Sequence, residues 1–260
     1  ALKNILRELE SVVVAYSGGV DSTFVLKIAH HILEEKVIAV TALSPSFPSD
    51  DLESAKSVAR AIGARYVILE THELEDPRYL ENTPARCYFC KTEMYAQLAV
   101  FARENNLRHV VDGLNEDDLT DRRPGREAAL ERGVRSPLAE AHLTKAEIRV
   151  LSKEMGLPTW DKPAMACLSS RIPYGSPITR AALAQIDATE SFLRRLGLRQ
   201  VRVRHHHAIA RLEVEPEDME RVVAQRGEIV ARLKAHGYTF VTLDLDGYHT
   251  GSLHALVGKQ

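Results

Sequence analysis

At 260 residues the chain is long enough to bury one α/β core and a smaller second one, and 45% hydrophobic with 27% charged residues excludes a disordered or fibrous protein. Lys and Arg number 34 against 36 Asp and Glu, so a formal net charge of −2 gives no global attraction to nucleic acid or to an acidic membrane, although it leaves room for a local basic patch. No secretory signal and no apolar run of membrane-spanning length is seen, so the expected location is cytoplasmic. Three cysteines, an odd number, favour metal or catalytic use over a disulfide framework.

In chain order, Leu2 to Leu9 reads as a short helix and Val12 to Ala15 as a strand buried on both faces. Thr23 to His31 reads as a helix, with Phe24, Val25, Ile28 and Ile32 on one side. A strand over Val37 to Ala42, a helix over Asp50 to Ile62 closed by Gly63, and a strand over Tyr66 to Leu69 continue the alternation. His72 to Pro84 is polar and irregular; a long helix then runs from Arg86 to about Asn105, and a strand from His109 to Asp112. Thr144 and Glu147 have capping-box spacing ahead of a helix ending near Met155. Beyond it come a helix (Arg180 to Leu196), two strands (Gln200 to His205 and Ala208 to Val214), a helix opened by Pro216 (Glu217 to His236) and a strand (Thr239 to Leu245).

The expected fold class is therefore α/β: a Rossmann-like parallel sheet with helices on both faces, residues 1–172, plus a small C-terminal α+β domain, residues 173–260. Ligands of such sheets collect at the carboxyl ends of the strands, which makes Thr41 to Ser44 a candidate adenine floor or a plain βα loop.

Ser17-Gly18-Gly19-Val20-Asp21-Ser22 joins the first strand to its helix. Two glycines let successive amides turn inward as an anion nest, the helix dipole adds positive potential, and two serines add hydroxyls. Asp21 makes sense there as the holder of a Mg²⁺ bridging two phosphates; the plainer reading is a capped turn. The loop Gly113 to Asp118 is read equally as a Mg²⁺ or ribose site and as an acidic turn. Cys87 and Cys90 have a common metal or redox spacing. With Cys167, three thiolates suit an Fe–S cube with one open iron, or zinc with His72 or His109 as fourth ligand, or a buried inert role. Arg202 and Arg204 share a strand face, as a phosphate clamp or as solvated residues. Glu190 reads as a general base or a salt-bridge partner, and His205-His206-His207 as neighbours that alternate faces rather than a metal site.

The loop at Ser17 resembles that of the PP-loop ATP pyrophosphatases, which cleave ATP between its α and β phosphates, and it lacks the lysine of kinase and GTPase loops. Together with Arg86-Cys87-Tyr88-Phe89-Cys90-Lys91, Asp112-Gly113-Leu114-Asn115 and Cys167-Leu168-Ser169-Ser170-Arg171-Ile172-Pro173-Tyr174-Gly175, it resembles the LarE family of PP-loop sulfur transferases over nearly the whole chain. The resemblance implies an ATP- and Mg²⁺-dependent enzyme that converts carboxylates of pyridinium biscarboxylic acid mononucleotide to thiocarboxylates, toward the nickel-pincer nucleotide cofactor. It implies that Ser17, Gly18, Gly19, Val20, Asp21 and Ser22 bind the ATP pyrophosphate, that Cys167 delivers sulfur, that Arg202 and Arg204 receive the substrate phosphate, and that Glu190 and Glu213 fall where carboxylates near the site are expected. Ser44, from the strand-end reading, is expected to contact ATP, and Arg171 to offset phosphate charge with Arg202 and Arg204. One branch of the family has only the Cys167-type cysteine and sacrifices its sulfur, ending as dehydroalanine. The other branch resembles this chain, which implies a [4Fe–4S] cluster on Cys87, Cys90 and Cys167 that carries an extra sulfide, a sulfide or other sulfur donor, and a homo-oligomer. The rival readings are a tRNA thiolation enzyme, using the basic run Arg194, Arg195, Arg199, Arg202, Arg204 and Arg211, and a non-enzymatic nucleotide or Fe–S sensor.

Overall fold

The computed structural model describes residues 1–120 and 124–249. In chain order the elements are α1 (Leu2–Leu9), β1 (Val12–Ala15), α2 (Val20–Leu33), β2 (Val37–Leu43), α3 (Ser49–Ile62), β3 (Arg65–Glu70), α4 (Pro77–Leu80), α5 (Arg86–Glu104), β4 (His109–Val111), α6 (Pro124–Glu131), α7 (Pro137–Glu140), α8 (Lys145–Glu154), α9 (Arg180–Arg195), β5 (Val201–His206), β6 (Ile209–Val214), α10 (Met219–Ala224), α11 (Arg226–Ala235) and β7 (Phe240–Leu243). The chain divides into two compact units, one of residues 1–44, 50–79 and 85–165, the other of residues 45–49, 80–84 and 166–260. Among the described residues no helix is long and apolar enough to cross a membrane.

The first unit carries an all-parallel sheet in the order β3-β2-β1-β4. Successive strand side chains alternate faces, and both faces are covered. Val12, Val14, Val37 and Ala39 pack with Leu2, Leu6 and Leu9 of α1 and with α2 and α3, whereas Val13, Ile38 and Val40 pack with Tyr95, Leu98 and Ala102 of α5 and Ala129 of α6. This is the doubly covered parallel sheet that the β-branched runs led us to expect. Because every strand runs the same way, the segments after β1, β2 and β4 all emerge at one end of the sheet.

The second unit holds a three-stranded mixed sheet, order β5-β6-β7, with β5 antiparallel and β7 parallel to β6. Phe192 and Leu193 of α9, Val222 of α10, and Ile229 and Leu233 of α11 close its apolar face against Val201, Val203, Ala210 and Leu212. The single helix expected over Glu217 to His236 is broken at Gln225 into α10 and α11, after a 3-10 turn at Pro216–Asp218. Sequence reading also left α4 inside a segment taken as irregular, and did not anticipate α6 or α7. These are helices of four to eight residues, too short for an apolar period to stand out.

Candidate active site

The β1–α2 join begins as the sequence suggests but enters the helix sooner, at Val20, so Val20, Asp21 and Ser22 form its first turn. Gly19 stands at the N-cap position and no side chain caps the helix, which leaves its first amides for a ligand. Gly18 lies at φ +74°, and a β-carbon there would meet Ala55 Cβ at 2.7 Å and its Cα at 2.9 Å, so α3 admits only a glycine. The hydroxyls of Ser17 and Ser22 are 3.1 Å apart; the Gly19 N–H donates to Ser17 Oγ (3.3 Å) and the Ser17 N–H to Ser22 Oγ (3.3 Å). Amides, hydroxyls and the uncapped helix thus converge at one turn.

From β4 the loop presses directly on this turn. A β-carbon on Gly113 would lie 2.8 Å from Ser22 N. Asp112 braces the turn, accepting hydrogen bonds from Ser136 Oγ (2.8 Å), the Leu114 N–H (3.1 Å) and Tyr95 OH (3.0 Å). Burial raises its pKa, while these three bonds pull the other way. Asn115 turns its amide Nδ2 to Asp21 Oδ1 (3.4 Å) and accepts the Asp117 N–H (3.0 Å) on its own oxygen. Ser44 is buried just beyond the end of β2, and Thr41 within that strand donates to the Tyr16 carbonyl (2.7 Å). Two lysines that the sequence reading passed over also reach the loop: Lys145 Nζ contacts Asp21 Oδ2, and Lys162 Nζ donates to the Gly18 carbonyl (3.2 Å) while pairing with Asp51 (3.1 Å). The one available signal was Lys145's place just after a capping-box threonine, where a cation opposes the helix dipole.

In the second unit, Cys167 opens a 3-10 turn over Leu168–Arg171, anchored by the Leu168 N–H on the Ser46 carbonyl (2.8 Å). Arg171 is 1% exposed, and its guanidinium is used inside the protein. Nη1 donates to the carbonyls of Ala166 (2.7 Å) and Cys167 (3.0 Å) and to Ser170 Oγ (3.0 Å), while Nε and Nη2 grip Glu190 at 2.8 and 2.7 Å. A buried guanidinium needs fixed acceptors, and Arg171 finds them in Glu190, Ser170 Oγ and the backbone of the cysteine loop. Glu190 is held in the same network. Fully buried, it accepts four bonds, two from Arg171, one from Arg194 Nη2 (2.8 Å) and one from the Val203 N–H (2.9 Å). Complete burial works to raise its pKa, but the Arg171, Arg194 and Arg202 charges and the Arg171 hydrogen bonds together hold it below the ordinary glutamate value.

Arg202 and Arg204 are both buried, which rules out the solvated reading. Arg204 donates to the Ser170 carbonyl (2.8 Å) and pairs with Glu213 (2.6 Å), which also pairs with Arg211 (3.0 Å), itself in contact with Asp244. Arg202 bonds the Val201 carbonyl (3.0 Å) and lies 5.4 Å from the Tyr248 ring centroid. Burial, and next the Arg171 charge, lower its pKa. Among the described residues the guanidiniums of Arg171, Arg194, Arg202, Arg204 and Arg211 gather with the carboxylates of Glu190, Glu213 and Asp244 in one arginine-rich network.

The basic run considered for RNA is thus largely engaged within the protein, Arg195 also bonding Ser191 Oγ (2.8 Å). Cys87 and Cys90 stand one turn apart on α5, and Cys167 belongs to the other unit; all three are half-buried and none forms a disulfide. Among the described residues no group of three or more His, Cys, Asp or Glu is gathered to hold a metal. Within the second unit His205 Nδ1 meets Tyr238 OH (3.1 Å).

Compared with known proteins, residues 2–84 match the NAD synthase family profile. An uncharacterized protein of Synechocystis sp. is 45% identical over 260 residues, 99% of this chain and 97% of its own length. The pyridinium-3,5-bisthiocarboxylic acid mononucleotide synthase of Lactiplantibacillus plantarum is 38% identical over 255 residues, 98% of this chain and 92% of that one. The chain belongs to the LarE family. A tRNA-specific 2-thiouridylase of Maricaulis maris is similar at 28% identity over 58% of this chain and 46% of its own. As a LarE protein the chain is an ATP-dependent enzyme of the PP-loop fold.

Proposed function

We propose that this protein adenylates a carboxylate of pyridinium biscarboxylic acid mononucleotide and replaces an oxygen by sulfur. The observation that carries the reading is at Ser170. Its hydroxyl accepts from Arg171 and its carbonyl from Arg204, so one residue links the turn bearing Cys167 to the buried arginine network, whose guanidiniums are of the kind that bind a phosphate.

A carboxylate resists a sulfur nucleophile, because it is anionic and its leaving group would be oxide. In the first step a carboxylate oxygen attacks the α-phosphorus of ATP, the bond to the β-phosphate oxygen breaks, and pyrophosphate leaves. Residues Ser17 to Ser22 hold the pyrophosphate, and Asp21, with Asn115 beside it, is the group to hold Mg²⁺, which screens phosphate charge when bound. In the second step the Cys167 sulfur attacks the acyl carbon, the bond to the AMP oxygen breaks, and a thioester forms. Releasing the thiocarboxylate from it breaks the Cβ–Sγ bond with loss of the α-proton, leaving dehydroalanine, unless an external sulfide supplies the sulfur. Arg171 and Glu190 fix the Cys167 backbone throughout, and Arg202, Arg204 and Glu213 form the substrate-phosphate side. On this reading residues 1–172 activate and residues 173–260 position, in a cytoplasmic homo-oligomer.

Cys167→Ala should keep substrate-dependent exchange of labelled pyrophosphate into ATP and form no thiocarboxylate. Thiocarboxylate from that variant, or exchange stimulated by tRNA and not by the mononucleotide, would sink the reading. The three-cysteine composition further supports a [4Fe–4S] cluster on Cys87, Cys90 and Cys167, although no step above passes through one. It predicts about four irons per chain after anaerobic reconstitution, lost together in each cysteine variant. Zinc, or thiols without iron, would leave direct donation by Cys167.

A further inference from the structure

Lys145 is the first residue of the ten-residue helix α8, a position where the peptide dipoles already concentrate positive potential and a cation is disfavoured. The turn that places it is tightly held. Thr144 and Glu147 form a capping box, and the Lys145 N–H bonds Asp117 Oδ2 at 2.8 Å. Its ammonium comes to rest on Asp21 Oδ2, with Asn115 Nδ2 on the other oxygen. The carboxylate read above as the Mg²⁺ ligand therefore already carries a cation.

Lys162 cannot exchange for it, being occupied by Asp51 and the Gly18 carbonyl. A divalent ion approaching Asp21 alone meets the Lys145 charge head-on. A triphosphate seated at the uncapped start of α2 changes this, because Asp21 belongs to that helix's first turn and the phosphates then lie within the sweep of the lysine's four-carbon stem.

We propose that Lys145 is a resident counter-ion of Asp21 that keeps divalent metal off the loop until a nucleoside triphosphate draws it away, so that metal and nucleotide bind as a mutually dependent pair. The inference rests on Asp21 being the metal ligand. By linkage, whatever factor the nucleotide adds to metal affinity, the metal returns to nucleotide affinity.

The test is Mn²⁺ binding to the full chain, read from the electron paramagnetic resonance of unbound Mn²⁺, with and without the α,β-methylene analogue of ATP. Wild type should bind Mn²⁺ at least about tenfold more tightly with the analogue than without it. Lys145→Gln should bind it without nucleotide about tenfold more tightly than wild type does, Lys145→Arg should behave as wild type, and adding Asp21→Asn to Lys145→Gln should abolish the gain. Equal nucleotide-free affinity in wild type and Lys145→Gln overturns the counter-ion role, while a loss of analogue-dependent Mn²⁺ binding in Asp21→Asn keeps the reading of Asp21 intact. If Asp21→Asn binds Mn²⁺ with the analogue as wild type does, the metal-ligand reading itself falls and takes the inference with it.

Discussion

Glu190→Gln should destabilise the second unit by about 3–5 kcal/mol, the usual effect of breaking a buried ion pair from one side. At about 2–4 °C per kcal/mol for a chain of this size, the midpoint of thermal unfolding falls by roughly 10 °C. The substitution preserves volume and changes one atom. Oε1 accepts Arg171 Nε and the Val203 N–H, and Oε2 accepts Arg171 Nη2 and Arg194 Nη2. An amide must point its NH₂ at one of those donor pairs whichever way it is flipped, and the Arg171 charge is left buried beside a neutral group. The pH dependence gives a second readout. Because the folded pKa of Glu190 is held below its unfolded value, its contribution is fully present above the ordinary glutamate range and is lost as pH falls through that range toward the depressed folded value. Wild type should show this acid limb and Glu190→Gln should lack it. A variant within about 1 kcal/mol of wild type, with the same acid limb, would show that the network is dispensable. Sulfur transfer should fall with stability, since the carbonyls of Ala166 and Cys167 hang on the same guanidinium.

The contrast between Asp21 and Glu190 shows where sequence reading ends. Buried β-branched runs at β1 and β2, a glycine pair and an apolar helix dictate a parallel sheet with a glycine turn into an uncapped helix, because those are local consequences of backbone geometry. The capping box at Thr144 is legible for the same reason. Roles that depend on distant partners are not. Whether an arginine meets a ligand or a carbonyl is set by what packs against it, so nothing local in the sequence foretells that Arg171 grips Glu190 and the carbonyls of Ala166 and Cys167. Lys162 carries no local pattern that tells a loop partner from a surface lysine, and Lys145 only its place after a capping-box threonine, yet both reach residues more than a hundred positions away. The helix break at Gln225 is a tertiary choice of the same kind, since apolar residues continue on both sides of it.

Gly18→Ala should reduce ATP-dependent pyrophosphate exchange by about a hundredfold or more, comparable to removing a preorganised donor from an anion site. Two costs act together. At φ +74° an L-residue is strained by about 1–2 kcal/mol, and the new methyl would have to occupy space 2.7 Å from the Cβ of Ala55, a residue with no exposed surface in the middle of α3. Neither atom is the end of a flexible side chain. The strain is relieved only by moving Gly18 away from α3, which turns its carbonyl from Lys162 and displaces the amides of the turn. Gly156→Ala separates the two costs, for Gly156 has φ +66° but nothing within 4 Å of its would-be β-carbon. That control should lose stability and keep exchange activity, whereas Gly18→Ala should lose exchange even where its unfolding midpoint matches the control's. Full exchange in Gly18→Ala would mean that the phosphates are held elsewhere than at the β1–α2 join.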